Sequence, residues 1–296
     1  MNKGILYMIL SGLCFVVINF FVKILGGKTE IPLFEGLQSY PAHELVLARS
    51  IVSFFISFVI IKKRKLPLLG YNKKWLLIRG TAGTIALTLF FYTIHYLPLA
   101  IATTVQYLAP VFTVIFAIIL LKEKVKTLQW FFIALSFIGV SMIGLDKIMD
   151  NSPSADSISF LWLGLGMLSA VFSGIAYVAI LKLKPTDSPI TIVSYFPMIA
   201  IPIMIVFCLF EFTMPQGIEW FILLIIGVFT QFAQILLTKA FHEGSASTIT
   251  PFQYLGAIYA LLLGYLVFNE KLSFIVNIGI VFVVGGVFIN ALIKKK

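Results

Sequence analysis

The chain of 296 residues is poor in the groups that carry out covalent chemistry. Its two cysteines, Cys14 and Cys208, both sit inside apolar runs. They do not form a disulfide framework and read as small buried hydrophobes. Three histidines and no clustered carboxylates argue against a metal site, and no metal or cofactor is expected. Charge is scarce too. Charged residues make up 11% of the chain and hydrophobic ones 60%, where a soluble domain has roughly 25% and about 45–50%. With a mean hydropathy of +1.05, a soluble enzyme with a buried core is excluded. A polytopic membrane protein remains.

What is abundant is long apolar sequence. Ten runs stand out, at residues 4–25, 43–61, 74–95, 99–121, 127–145, 159–181, 189–210, 218–239, 245–268 and 273–293. Each approaches the ~20 residues that carry a helix across ~30 Å of hydrocarbon. The short alternating segments of a membrane barrel do not occur. The first run begins beside Lys3 but is too long for a signal peptide and lacks a small-x-small cleavage site, so it reads as the first helix.

The net charge of +10 comes from 22 Lys and Arg against 12 Asp and Glu. In a soluble protein that balance would suggest nucleic acid. Here most basic residues lie in short links, where the membrane accounts for them, and no nucleic-acid partner is expected. Ten helices place sixteen basic residues on the side of the N-terminus, among them Lys62 to Lys65 and Lys122 to Lys126. They place four opposite: Lys23, Lys28, Lys147 and Lys271. Arg49 and Arg79 lie inside runs and are outside this count. The positive-inside rule then predicts a multi-pass protein of the cell (inner or plasma) membrane with both termini cytoplasmic. The longest links, near 26–42 and 146–158, fall outside, and Thr29 to Glu35 reads as a surface flap.

The chain repeats itself. Gln106-Tyr-Leu recurs as Gln253-Tyr-Leu, 147 residues on. At the same offset His95 matches His242, Glu123-Lys matches Glu270-Lys, and Gly139-Val matches Gly286-Val. Ser11-Gly-Leu-Cys-Phe-Val-Val-Ile resembles Ser173-Gly-Ile-Ala-Tyr-Val-Ala-Ile. The expected architecture is all-α and integral to the membrane: ten transmembrane helices as two five-helix repeats, 1–147 and 148–296, in one membrane domain. Five is odd, so the second repeat enters from the opposite face. Inverted repeats are a transporter architecture, with the substrate near the midplane.

On these residues the chain resembles the ten-helix, EamA-type transporters of the drug/metabolite transporter superfamily. That family has tandem halves, each with a Pro- or small-residue-rich helix ending in an acidic residue. Ala109-Pro110-Val111 with Glu123, and Gly256-Ala257 with Glu270, match it. A Lys late in helix 1 and an Arg early in helix 2 also match, as Lys23 and Arg49. The departure is Ala257 where the first half has Pro110. The resemblance implies carriage of a small solute and does not name it.

Polar residues inside the runs are the candidates for a site, because they are costly in hydrocarbon and usually face other helices or a wet cavity. Asn19 shares a helical face with Ser11 and Phe15. Thr88 and Tyr92 share one with Thr84 and Phe91. Gln106 and Tyr107 precede Pro110, and Tyr254 follows Gln253. Tyr177 follows Ser173. Gln231 and Gln234 stand with Thr238 at spacings of three and four. Together with Lys23 and Arg49 these form the expected substrate-binding set. Neutral hydrogen-bonding groups beside aromatic rings suit a small polar or zwitterionic metabolite, such as an amino acid. The competing role for each is interhelical glue. Arg49 has two readings as well. It snorkels to the outer headgroups, or it forms with Lys23 a basic entrance for a carboxylate or phosphate. Gly164, Gly166, Ala170 and Gly174, with Gly279, Gly285 and Gly286, read as close-packing surfaces. Glu123 and Glu270 read as caps paired with Lys124 and Lys271.

Local patterns that suggest enzymes fail. Gly27-Lys28-Thr29 lacks the first glycine of a phosphate loop, since residue 22 is Val22. His43-Glu44 and His242-Glu243 lack a second histidine. No carboxylate lies near the middle of a run, which favours uniport or exchange over proton coupling. A lipid or lipid-linked-sugar flippase is the alternative to a solute carrier.

Overall fold

The computed structural model describes residues 3–26, 36–96, 99–150, 160–259, 262 and 274–293. Helices follow one another throughout, and there is no strand among the described residues. In chain order they are α1 (Lys3–Leu25), α2 (Ala42–Lys63), α3 (Lys73–Tyr96), α4 (Leu99–Gln106), α5 (Ala109–Leu121) and α6 (Thr127–Asp150). Then come α7 (Phe160–Leu183), α8 (Pro189–Cys208), α9 (Glu219–Glu243), the short α10 (Ala246–Ile249), a 3-10 turn (Thr250–Tyr254) and α11 (Phe274–Ile293). Seven helical stretches among the described residues are long and apolar enough to cross a membrane. The expected flap at Thr29 to Glu35, and Glu270 with Lys271, lie outside the described residues.

Two expected spans are interrupted rather than continuous. The run 99–121 breaks at Tyr107 and Leu108, between α4 and α5. Pro110 stands in the first turn of α5, where it has no N–H to give to the residue 106 carbonyl, so the first helix cannot run on. The run that begins at 245 is likewise broken: α10 gives way to the 3-10 turn, which holds Pro251, and residues 255–259 are helical again. Elsewhere the local signals are conventional. Ser188 caps α8 by accepting the Thr191 N–H, and Pro189 opens it.

The bundle is built inside out. Phe55, Ile119, Leu161 and Phe221 are exposed, while Ser11, Ser50, Ser53, Ser57, Thr113 and Gln231 are buried. Hydrocarbon offers no hydrogen bonds, so polar side chains turn inward and apolar ones outward. Ser11 in α1 donates to the Ala233 carbonyl in α9 at 2.8 Å. The principal neighbours are α1 with α9, α3 with α7, α2 with α8 and α9, α3 with α8, α5 with α7, and α6 with α11. Glycines allow the close pairs. A methyl on Gly80 would stand 2.8 Å from the Tyr195 carbonyl oxygen, and one on Gly139 2.6 Å from that of Gly279. Gly174 meets Phe112 in the same way, whereas nothing lies within 4 Å of such a methyl on Gly164 or Gly285. Cys14 and Cys208 are free thiols that are half-buried, not fully buried as expected. Both helices pack with only part of their surface inward.

Hydrogen bonds tie the links into two opposite ends. At one end, Asp187 accepts from the Tyr71 and Asn72 N–H groups, and Tyr195 donates to the Leu69 carbonyl. There too Glu123 accepts from the N–H groups of Ala246 and Ser247 and from the Ser247 hydroxyl. Glu123 therefore caps α10 across the bundle instead of pairing with Lys124. At the other end, Glu219 accepts from Gln38, Gln216 and the Tyr40 hydroxyl, the last at 2.5 Å. Burial, and then Glu219, raise the Tyr40 phenol above its ordinary value.

Candidate functional site

Arg49 lies seven residues into α2 and is 1% exposed. Its side chain is shielded from the surface, and no carboxylate among the described residues pairs with it: Glu44, five residues earlier, accepts from the Thr213 N–H instead. Its Nε and Nη2 have no hydrogen-bond partner. These two nitrogens form one edge of the guanidinium, the edge that grips a carboxylate with two parallel bonds. The carbon of the guanidinium lies 5.5 Å from the ring centroid of Phe91 and 5.9 Å from that of Phe196. Each cation–π contact contributes about 0.5–2 kcal/mol. Removing an ion from water costs on the order of several kcal/mol even after relaxation. The two rings offset part of that cost and leave an unpaired edge whose chemistry suits an anion.

Arg79 is the second buried cation, at 2% exposure, six residues into α3. Its Nη2 donates to Gln234 Oε1 at 2.8 Å, and its Nε has no partner. Tyr177 stands near it, with its ring stacked on Phe241 at 5.5 Å.

The remaining expected residues fall into three groups. Gln231 is engaged at both ends of its amide: it donates to Ser57 at 2.8 Å and accepts from Ser53 at 2.5 Å, joining α9 to α2. The Gln106 amide bridges Ser169 and Ser173 of α7 at 2.9 Å each. Tyr92 meets His43 Nδ1 at 3.1 Å near the end of the bundle. By contrast, Thr88 Oγ1 and the Tyr254 hydroxyl are buried without partners. The rings of Tyr107 and Tyr254 stand 6.0 Å apart. Asn19 and Lys23 are half-buried on α1. Lys23 is therefore in the same half-exposed class as Asn19, not buried like Arg49.

Reasoning from the sequence missed Arg79, Phe196, Ser53 and Ser57. Arg79 was legible as a charge inside an apolar run, at a depth like that of Arg49. Phe196 stands 147 residues after Arg49, the offset of the repeat. Nothing in the pattern marks Ser53 and Ser57, because serine serves in helix packing throughout the chain.

The EamA-like transporter family matches residues 2–145 and 160–292. A pseudopaline exporter, CntI, of Pseudomonas aeruginosa is 28% identical over 271 residues, covering 91% of this chain and 89% of its own. A riboflavin transporter of Vibrio cholerae is 27% identical, covering 90% and 85%. An S-adenosylmethionine uptake transporter of Rickettsia prowazekii is 23% identical, covering 88% and 85%. A crystal structure aligns with a TM-score of 0.79 over 100% of this chain and 98% of that one, and at 16% identity it speaks for the fold. The relatives' names include both export and uptake, so membership does not give direction. The chain belongs to the EamA-like transporter family and is a multi-pass membrane transporter, not an enzyme.

Proposed function

We propose that the chain carries a small organic solute bearing a carboxylate, such as an amino acid or a related zwitterion, across the cell membrane by alternating access. One observation carries this: the buried Arg49, whose bidentate edge has no hydrogen-bond partner and whose guanidinium lies near Phe91 and Phe196. Phe91, Phe196 and the nearby Thr88 supply the apolar and hydrogen-bonding surface that a solute of this kind needs. The absence of a mid-span carboxylate in the sequence supports uniport or exchange.

The helix pairing supports two inverted five-helix halves, 1–147 and 148–296. Exchanging the halves turns α1 into α7, α2 into α8, α3 into α9 and α6 into α11. The α1–α9 contact then becomes α7–α3, and α2–α9 becomes α8–α3; both members of each pair occur. The α2–α8 and α6–α11 contacts map onto themselves. Two family matches, one per half, agree with this. In such halves the broken helices at Tyr107 and Tyr254 flank the substrate. The charge count in the links supports cytoplasmic termini.

Burial of Arg49 argues for a solute carrier over a flippase, whose groove must open to lipid. The test is transport in proteoliposomes. Arg49→Lys keeps the charge but loses the fork, and uptake should fall. Arg49→Ala should nearly abolish it at unchanged expression, while Lys62→Ala, in a link, should not matter. Full transport by Arg49→Ala would overturn the proposal.

A further inference from the structure

Two guanidiniums are buried in this bundle, and neither has a carboxylate partner among the described residues. Gln234 gives Arg79 a neutral amide oxygen, which satisfies one N–H and leaves the charge uncompensated. Arginine stays protonated in proteins, so it cannot escape the cost by losing its proton. The groups that face Arg79 from its neighbours are neutral: Tyr177 on α7, Phe196 on α8 and Gln234 on α9.

The two cations enter from opposite ends. Arg49 lies seven residues from the start of α2 and Arg79 six from the start of α3, roughly 9–10 Å from either end at ~1.5 Å per residue. Long side chains bring both to the same ring. The Arg49 guanidinium carbon is 5.9 Å from the Phe196 centroid. On the other helix, Gly83 leaves a gap: a methyl there would stand 2.5 Å from Arg79 Nη1 and 3.2 Å from Phe196 Cδ2. Phe196 thus lies near two positive groups, each with a buried N–H that has no partner.

We propose that Arg49 and Arg79, both near Phe196, together select a solute with two separate anionic oxygen groups, one held by each guanidinium. This rests on the carrier function above and narrows its substrate class. A solute with a single anionic group would neutralise one arginine and leave the other uncompensated, whereas an acidic amino acid carries two. A doubly anionic solute neutralises both and lets its own charge cross the bilayer core paired. Carboxylate and phosphate share this chemistry.

Binding to the purified full-length protein in nanodiscs tests it. The probes are dicarboxylates from succinate to adipate, diphosphonates of the same chain lengths, and the half-amide and monoacid of each. The best diacid should bind about tenfold tighter than its half-amide, the gain expected of one charge-assisted contact. A stronger diphosphonate would assign phosphate, and a stronger dicarboxylate would assign carboxylate. Arg79→Gln should reduce the diacid preference over the half-amide to within about twofold. Gly83→Ala, which crowds Arg79 without touching its charge, should weaken the preference and serves where Arg79→Gln does not fold. Half-amide and diacid binding alike to the wild type would overturn the proposal, as would a preference that survives Arg79→Gln. In those cases monoacid binding leaves the Arg49 carrier function standing. Failure of every acid to bind would sink both.

Discussion

The rings of Tyr107 and Tyr254 lie 6.0 Å apart, centroid to centroid, inclined at 49°. They are the same residue of two Gln-Tyr-Leu copies, 147 positions apart in the chain. Tyr107 sits in the break between α4 and α5, and Tyr254 ends the 3-10 turn. Gly256 lies beside this pair, and a methyl there would come within 2.7 Å of the Tyr107 hydroxyl. The two breaks therefore meet.

The Tyr254 hydroxyl is buried without a partner, a state that costs about 1–3 kcal/mol. Tyr254→Phe should raise or preserve the melting temperature of the purified protein. Under the proposed function that hydroxyl serves the solute, so transport should nevertheless fall. A variant that is less stable and fully active would contradict this.

Gln231 spends both ends of its amide on Ser53 and Ser57. Gln231→Ala should lower the melting temperature, with each lost interhelical bond contributing about 0.6 kcal/mol. Transport by the protein that remains folded should stay near the wild-type rate. Loss of transport without loss of stability would return Gln231 to the site.

Glu123 caps α10 through two backbone N–H groups. Glu123→Ala should destabilise by about 0.5–2 kcal/mol, the usual cost of losing a cap. Glu123→Gln keeps one acceptor oxygen and should recover part of it. Thermal melts of the three proteins decide this.

Reporter fusions after Lys65 and Lys184 should read cytoplasmic, and one at Gly217 external. Lys65 and Lys184 follow α2 and α7, while Gly217 precedes α9. An external reading after Lys65 would remove the inverted arrangement.

Much of this protein follows from composition and order along the chain. Apolar runs of span length specify membrane helices, because a bilayer accepts few other structures. Pro110 and Pro251 stand at breaks in runs that read as continuous spans, because proline withholds an N–H wherever it stands. The repeat of Gln-Tyr-Leu marks both breaks, and Arg49 was legible as a charge too deep to ignore. Partnership was not legible. Gln231 and Arg49 both look like substrate ligands in sequence, but Gln231 is satisfied by two serines, whereas Nε and Nη2 of Arg49 have no partner among the described residues. Likewise Glu123 sits beside Lys124 in the chain yet caps a helix in the other half. Helix periodicity says which residues share a face of one helix, and it is silent about which face of which neighbour they meet. Only the packing of α2 against α8 and of α3 against α8 brings both Arg49 and Arg79 near Phe196.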